Sequence, residues 1–262
     1  GSYVYSTSVS TKSLLETALR FFRLRGWTKI ATITSGDATG QDADRNVGEV
    51  LAMPENAGMK VVEKQHFTPG DVSVAAQIER IKQAEPQAVI AWTSGAPVAT
   101  IFKGIVQAGL DLPVVTTNGN QTAAQMRQFA DFLPRQLYIP SSLFPPHAGK
   151  YTLDPKVEAE QKAFYGALQE AGLPVDNMAA LAWDPARIIV ALLRKLGPAA
   201  TAAQLREALA ATTGFAGING IYDFPHVPQR GLDASESVMT QWNAADGSWV
   251  PVSLPAGKLL PN

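Results

Sequence analysis

Residues 27–41 read WTKIATITSGDATGQ, and this stretch decides the fold class. Residues 27–34 form an apolar, β-branched run that predicts a buried strand. Residues 35–41 are polar and contain two glycines, which is typical of a loop. A helix is expected from there to about residue 53. A buried strand that passes through a glycine-bearing loop into a helix is the repeating unit of parallel α/β proteins.

The same unit repeats along the first half of the chain. Strands are predicted at 59–67, 88–92, 113–117 and 136–140, and helices at 72–84, 96–109 and 121–132. Upstream, residues 3–8 alternate like a strand, and a helix runs from Ser10 or Thr11 to Arg25 before Gly26 ends it. This alternation predicts an α/β fold with a doubly wound parallel sheet and right-handed crossovers.

The composition changes after residue 140. Residues 141–153 contain two prolines and little periodicity, which indicates a crossover between two parts of the molecule. Helices follow at 155–171, 178–196 and 201–211, and Pro185 is expected to kink or restart the second of them. Strands are predicted at 218–224 and 237–242.

Composition excludes several classes of function. The 262 residues carry 22 basic and 23 acidic side chains, a balance without the clustered cations that nucleic-acid binding needs. There is no cysteine, so thiol catalysis and disulfides are excluded. No apolar run approaches the roughly 20 residues of a membrane span. The chain starts Gly1-Ser2-Tyr3, without a signal-peptide pattern, as a mature exported protein would.

Several segments, taken in order, resemble one family. They are YVYSTS (3–8), GWTKIA (26–31), SGDATGQ (35–41), ALAWD (180–184), TTGFAGINGIYDFP (212–225), QWN (241–243) and DGSWV (246–250). In this order they resemble the type I periplasmic solute-binding proteins of branched-chain amino acid ABC transporters. Each motif alone is loose, whereas their order and spacing are fairly specific.

The resemblance implies two α/β lobes, joined by three crossovers, that close on a ligand by a hinge motion. Residues 3–140 with 243–254 would form lobe II, and residues 141–242 would supply the crossovers and the second half of lobe I. The first half of lobe I would precede Tyr3, so lobe I is expected to be incomplete in this chain. Apolar faces on the helices of 155–196 would then be exposed, which predicts a partner fragment, a swapped homodimer or a refolded lobe.

By the same resemblance the protein would be periplasmic. It would deliver a small organic solute to an ABC permease in the membrane and perform no chemistry. A ligand-sensing regulator of the same fold, and an α/β enzyme acting through Asp37, are the alternatives. The sequence contains no nucleotide-binding glycine motif and no nucleophile-elbow motif. Its three histidines match no metal-ligand spacing, so neither a cofactor nor a metal is expected.

Ligands of open α/β sheets bind beyond the carboxyl ends of the strands. This rule selects three loops, and the first is 35–41. Ala38 and Thr39 are candidate ligand contacts there, since the family commonly places an aromatic residue just before Gly-Gln and Thr39 holds that position. The alternative is that Ser35 and Asp37 only cap the following helix.

The second loop follows the strand that ends at Trp92. Thr93 and Ser94 can hydrogen-bond a carboxylate, Gly95 lets backbone approach closely, and Ala96 opens the next helix. The alternative is a plain strand–helix turn, with Trp92 in the core.

The third loop, 117–121, is the most informative because amino-acid binders of the family tend to carry an acidic residue here. This chain has Asn118, Gly119 and Asn120 instead. An amide makes no ion pair with an ammonium group, so an aromatic or aliphatic carboxylate is favoured over an α-amino acid. The alternative is that Asn118-Gly119 is only a turn.

One further candidate comes from the crossover. Phe144 follows Ser142 and Leu143 where the family often lends a side chain to the cleft, and it is expected to cover an apolar face of the ligand. Packing at the hinge is the alternative.

Overall fold

The computed structural model describes residues 2–261. Its helices are α1 Thr11–Leu24, α2 Ala38–Leu51, α3 Ala75–Gln83, α4 Pro97–Gln107, α5 Ala123–Gln128, α6 Pro155–Ala171, α7 Asn177–Leu196 and α8 Ala202–Ala210. Its strands are β1 Lys29–Ser35, β2 Lys60–Phe67, β3 Ala88–Trp92, β4 Val114–Val115, β5 Leu137–Ser142, β6 Thr213–Gly217, β7 Gly220–Asp223, β8 Ser237–Asn243 and β9 Ser248–Pro251.

Seven of these strands form one sheet in the order β2-β1-β3-β4-β5-β8-β9. The first five are parallel, while β8 pairs antiparallel with β5 and β9 antiparallel with β8. The α/β class and the mostly parallel sheet predicted from the strand–helix alternation are therefore confirmed.

Helices cover both faces of this sheet, so its central strands are buried on both sides. Ile30 and Ile90 point to the side of α1 and α2, while Ala31 and Val89 point to the side of α3 and α4. Because successive side chains of a strand alternate between faces, a strand covered on both sides reads as the continuous apolar run seen in 27–34.

Helix α1 begins where the sequence predicted. The Ser10 hydroxyl accepts a hydrogen bond from the Ser13 N–H at 3.1 Å, which caps the helix. Leu15, Leu19 and Phe22 lie on its buried face. This amphipathic helix anchors the segment before it to the large sheet.

A smaller part follows the crossover, made of α6, α7, α8 and the antiparallel hairpin β6–β7. Phe144 packs there with Phe164, Leu168 and Ile218 in a separate apolar cluster. Met178, Leu181, Ile189, Leu193 and Leu196 lie exposed along α7. The helix therefore has an apolar outer face in addition to its buried one.

Two local predictions were wrong, and a third was wrong in part. Residues 3–8 are extended but belong to no sheet, since their backbone bonds to a loop instead, with the Ser6 N–H donating to the Gln229 carbonyl at 2.8 Å. The single strand expected at 218–224 is the second half of a hairpin that turns at Ile218-Asn219, and its first residue, Gly220, has a φ of +141°. The restart expected at Pro185 is absent, because helix α7 continues through that residue, while the kink stays a prediction.

The lobe boundaries remain a prediction, although one strand lies on the other side of the proposed division. Residues 237–242 were assigned to the smaller lobe, whereas β8 pairs with β5 in the large sheet, with Ile139 opposite Thr240. The chain thus returns to the large sheet at Ser237.

Candidate functional site

The three loops selected from the sequence follow β1, β3 and β4, which are neighbours in the sheet. Because these strands are parallel, their carboxyl ends lie at one edge. Two of the loops are in direct contact. The Asn120 side chain accepts from the Gly95 N–H at 2.9 Å and donates to the Thr93 carbonyl at 2.7 Å.

Asn120 is a structural residue of this edge. Its side chain is fully buried, and its amide also donates to the Thr116 hydroxyl at 2.9 Å. The two bonds to Gly95 and Thr93 fix the loop after β3 against the loop after β4, and the bond to Thr116 holds Asn120 within its own loop. The sequence predicted that the Asn120 amide could contact a ligand. In the structure this amide is bonded to the two loops and holds them together.

The surface of the edge is formed by the residues beside Asn120. Ser94, Gly95, Ala96 and Gly119 are exposed, and Asn118 is half-buried. Ser94 and Gly119 are adjacent, since a Cβ built on Gly119 would lie 2.8 Å from the Ser94 hydroxyl oxygen. A larger residue at position 119 would displace the Ser94 hydroxyl from its present position.

The N-terminus of α4 adds positive electrostatic potential to this surface. Ala96 is the residue before its first turn, and no side chain caps this end of the helix. An uncapped helix N-terminus favours negative charge. Together with the Ser94 hydroxyl and the Asn118 amide, it provides a neutral-to-positive surface suited to a carboxylate.

Loop 35–41 differs because a side chain already neutralises its helix. The Asp37 carboxylate accepts from the N–H groups of Thr39 and Gly40 at 3.1 Å each, which confirms the capping interpretation. The Ser35 hydroxyl donates to Asp37 at 2.7 Å and, with the two N–H groups, holds the pKa of that carboxyl below its usual value. Ala38 and Thr39 remain exposed in the first turn of α2.

Three other residues named from the sequence are buried. Trp92 lies in the core, as its alternative interpretation predicted, and Thr93 is only 1% exposed. Phe144 has no exposed surface, and its carbonyl accepts from the Tyr165 hydroxyl at 2.7 Å. The Thr93 carbonyl accepts from Asn120, and Phe144 packs at the crossover, so a ligand contact by either side chain stays a prediction that would require these side chains to become exposed.

Sequence reasoning missed the residues at the start of α7. The Asn177 side chain donates to the Asn118 carbonyl at 3.0 Å, and its N–H donates to the Gln121 carbonyl at 3.2 Å. Asp176 caps the same helix. The smaller part of the molecule therefore contacts the third loop directly. An Asp-Asn pair before an apolar run signals a helix start, but no local pattern shows which loop that start touches.

The described residues form cavities away from this edge as well. One of them has a volume of about 670 Å³ and lies between α6 and the loop at 146–149. Another includes Ala96 of the second loop. Within residues 2–261, no group of three or more potential metal ligands is close enough to hold an ion. No helix of this part is long and apolar enough to span a membrane.

The fold and this edge define a class, the two-lobed α/β binding proteins that take ligands at strand ends. The sequence matches the model of one family, described as periplasmic binding protein, over residues 1–246. The chain belongs to this family. No curated protein matches the sequence.

Solved structures have the same fold at low sequence identity. An extracellular ligand-binding receptor from Rhodopseudomonas palustris HaA2 is 18% identical, with a TM-score of 0.78 over 93% of this chain and 68% of the other. A solute-binding protein of an ABC transporter from the same strain, in complex with p-hydroxybenzoic acid, is 19% identical with a TM-score of 0.74 over 98% and 67%. LivJ of Streptococcus pneumoniae, a branched-chain amino acid transporter substrate-binding protein in complex with isoleucine, is 15% identical with a TM-score of 0.70 over 94% and 63%.

Proposed function

We propose that this protein is the periplasmic solute-binding component of an ABC importer, and that it binds a small organic carboxylate without an amine. The observation that carries the proposal is the edge formed by Ser94, Ala96 and Asn118, where two neighbouring loops meet beside an uncapped helix N-terminus. Membership of the periplasmic binding protein family supports the binding role. The proposal includes no chemical step, because capture and lobe closure are sufficient for delivery to a permease.

The charges of the loops favour a carboxylic acid over an α-amino acid as the ligand. Loops 93–97 and 117–121 contain no carboxylate, and the Asp37 carboxylate of loop 35–41 is already bonded by the Ser35 hydroxyl and by the N–H groups of Thr39 and Gly40. The loops beside α4 therefore provide no ion-pair partner for an ammonium group. The Ser94 hydroxyl, the Asn118 amide and the end of α4 are all able to stabilise a carboxylate. The solved relative in complex with p-hydroxybenzoic acid supports an acid, while the relative in complex with isoleucine has the same fold, so the choice rests on the residues of these loops.

Calorimetric titration with p-hydroxybenzoate, a short aliphatic acid and isoleucine tests the proposal. We expect one of the two acids to bind and isoleucine to bind at least about tenfold more weakly, a difference of about 1.4 kcal/mol. Tight binding of isoleucine with no binding of either acid would contradict the assignment of ligand class.

Asn118→Asp tests the role of the third loop. A carboxylate there is expected to lower acid affinity by about tenfold, because two like charges would approach in a partly dry site, and to raise affinity for an amine-bearing analogue. Gln107→Glu is the matched control, since it adds the same charge at the far, exposed end of α4. Equal effects of the two substitutions would remove Asn118 from the ligand site.

We also infer that the exposed apolar face of α7 is covered by another polypeptide segment. Leu181, Ile189 and Leu193 are each 38–41% exposed and follow helical spacing along this face. The first of the solved relatives has about a third of its length outside the matched region, the chain covering 68% of it. A segment equivalent to that third is the occupant we propose, and it would complete the lobe opposite the loops.

Native mass spectrometry of the purified protein identifies the occupant. We expect the mass of this chain plus one additional polypeptide, and we expect Leu193→Asn to weaken that association. Val72→Asn is the matched control because Val72 is 97% exposed in a loop before α3, away from α7. Whole multiples of the chain mass would identify a second copy instead. The chain mass alone would show that the face is not a docking surface.

A further inference from the structure

A buried carboxyl group lies at the centre of the smaller part, away from the candidate ligand site. Asp184, in the middle of α7, has no exposed surface. Its Oδ1 accepts from the Ile218 N–H at 2.9 Å, and its Oδ2 accepts from the Asn219 N–H at 3.2 Å and the Asn219 side-chain amide at 3.0 Å. A Cβ at Gly217 would lie 2.5 Å from Oδ2, so the carboxyl is seated tightly against the β6–β7 turn.

The Tyr222 hydroxyl connects this carboxyl to the extended segment 3–10. Its oxygen lies 2.7 Å from Asp184 Oδ2 and 2.8 Å from the Thr7 carbonyl oxygen. A hydroxyl has one proton to donate, and a carbonyl oxygen can only accept. Two full-strength hydrogen bonds at these distances therefore need a second proton, which a protonated Asp184 would donate to Tyr222, whereas with Asp184 ionised the single Tyr222 proton is shared between the two acceptors or given to one of them.

The surroundings of Asp184 disfavour its ionised form. Burial is the main cause that raises the pKa of Asp184, and the hydrogen bonds from Tyr222, Ile218 and Asn219 oppose it only in part. No cationic side chain among the described residues bonds to Asp184. The charged groups on the surrounding elements bond to other partners. Arg187 donates to Glu160, and Arg230 donates to the Ser8 carbonyl. Glu236 accepts from the Asp233 N–H.

We propose that Asp184 is a proton-dependent latch between the two parts of the molecule. In its protonated state Asp184 donates to Tyr222, which donates to the Thr7 carbonyl and holds segment 3–10 against the smaller part. When Asp184 loses its proton, Tyr222 donates to the carboxylate instead and Thr7 is released. Because the segment continues into the Ser10 cap of α1, the latch joins the smaller part to the large sheet.

The direction of the pH effect follows from the raised pKa. Between the usual aspartate pKa and the higher folded value, the folded state holds a proton that the unfolded chain has lost. The stability contributed by the latch is thus complete at low pH and is lost as the pH rises through the folded pKa. A side chain at position 184 that is neutral at every pH should remove this pH dependence of stability.

Carbon-13 NMR of the carboxyl groups and amide hydrogen exchange test the latch in the whole protein. We expect one carboxyl signal, assigned by its absence in Asp184→Asn, to titrate above the ordinary aspartate range. Exchange of the Ser6 amide, which donates to the Gln229 carbonyl, is expected to accelerate over the same pH range beyond its intrinsic rate. The acceleration should approach about tenfold for each unit by which the pKa of Asp184 is higher in the latched state than in the released state.

Two variants separate the latch from general packing. In Asp184→Asn the exchange of the Ser6 amide should lose its pH dependence beyond the intrinsic rate, with lower protection at every pH because the new Nδ2 faces the Asn219 N–H that donated to the carboxyl group. In Tyr222→Phe the Ser6 amide should exchange fast at every pH. An Asp184 signal that titrates at or below the ordinary range, or a pH profile unchanged in Asp184→Asn, would overturn the proposal.

Discussion

Replacing Gly40 with alanine is expected to lower the free energy of unfolding by at least about 3 kcal/mol and to abolish ligand binding. A Cβ at this position would lie 1.7 Å from the Ser35 carbonyl oxygen. This neighbour is backbone at the end of β1, so it cannot move without displacing the strand or the helix. Urea unfolding and calorimetric titration measure the two effects.

The loss of binding follows from the place of Gly40 in the first loop. Its N–H donates to the Asp37 carboxylate, and this bond sets where α2 begins and hence where Ala38 and Thr39 are presented. A side chain at position 40 would push the first turn of α2 away from β1. The candidate contacts would move with that turn, even if the rest of the sheet survived.

Gly48→Ala is the matched control in the same helix. Gly48 is exposed, and a Cβ there meets no atom within 4 Å. Alanine at such a site should raise stability by about 0.5–1 kcal/mol, because glycine loses more backbone freedom on folding. If Gly40→Ala proved as stable as the control, β1 and α2 could not pack as closely as described.

The sequence predicted elements whose causes are local. Helix α1 has its cap at Ser10 and its apolar spacing within one stretch, and β1 is a continuous apolar run. The partner of β8 is not local, because Thr240 pairs with Ile139, about a hundred residues away. The hairpin β6–β7 was misread because one of its two turn residues is Ile218, a β-branched apolar residue that is typical of a strand.

In the candidate site, too, features with local causes could be predicted and features set by distant contacts could not. Strand ends in a parallel sheet are predictable, so the three loops could be selected from sequence. The roles of two asparagines in one loop could not be separated, because only the packed structure shows that Asn120 points inward while Asn118 stays partly exposed. The contact between Asn177 and Asn118 joins two parts of the chain that no spacing rule connects.

Asn120→Ala is expected to lower the free energy of unfolding by about 3 kcal/mol. The substitution removes the partners of the Gly95 N–H, the Thr93 carbonyl and the Thr116 hydroxyl. Buried polar groups left without partners each cost about 1–3 kcal/mol, and partial access of water to the exposed Gly95 reduces the sum. Ligand affinity should fall as well, because the loop after β3 loses its attachment to the loop after β4.

Asn118→Ala, two residues away in the same loop, should show the opposite pattern. Its side chain is half-buried, and its described hydrogen bond is a long one, 3.4 Å from the Thr117 hydroxyl. Stability should therefore change by less than about 0.5 kcal/mol, while carboxylate affinity falls about tenfold. Urea unfolding and calorimetric titration of both variants give four values. A stable Asn120→Ala together with an unstable Asn118→Ala would reverse the two roles, and with them the side of the loop that faces the ligand.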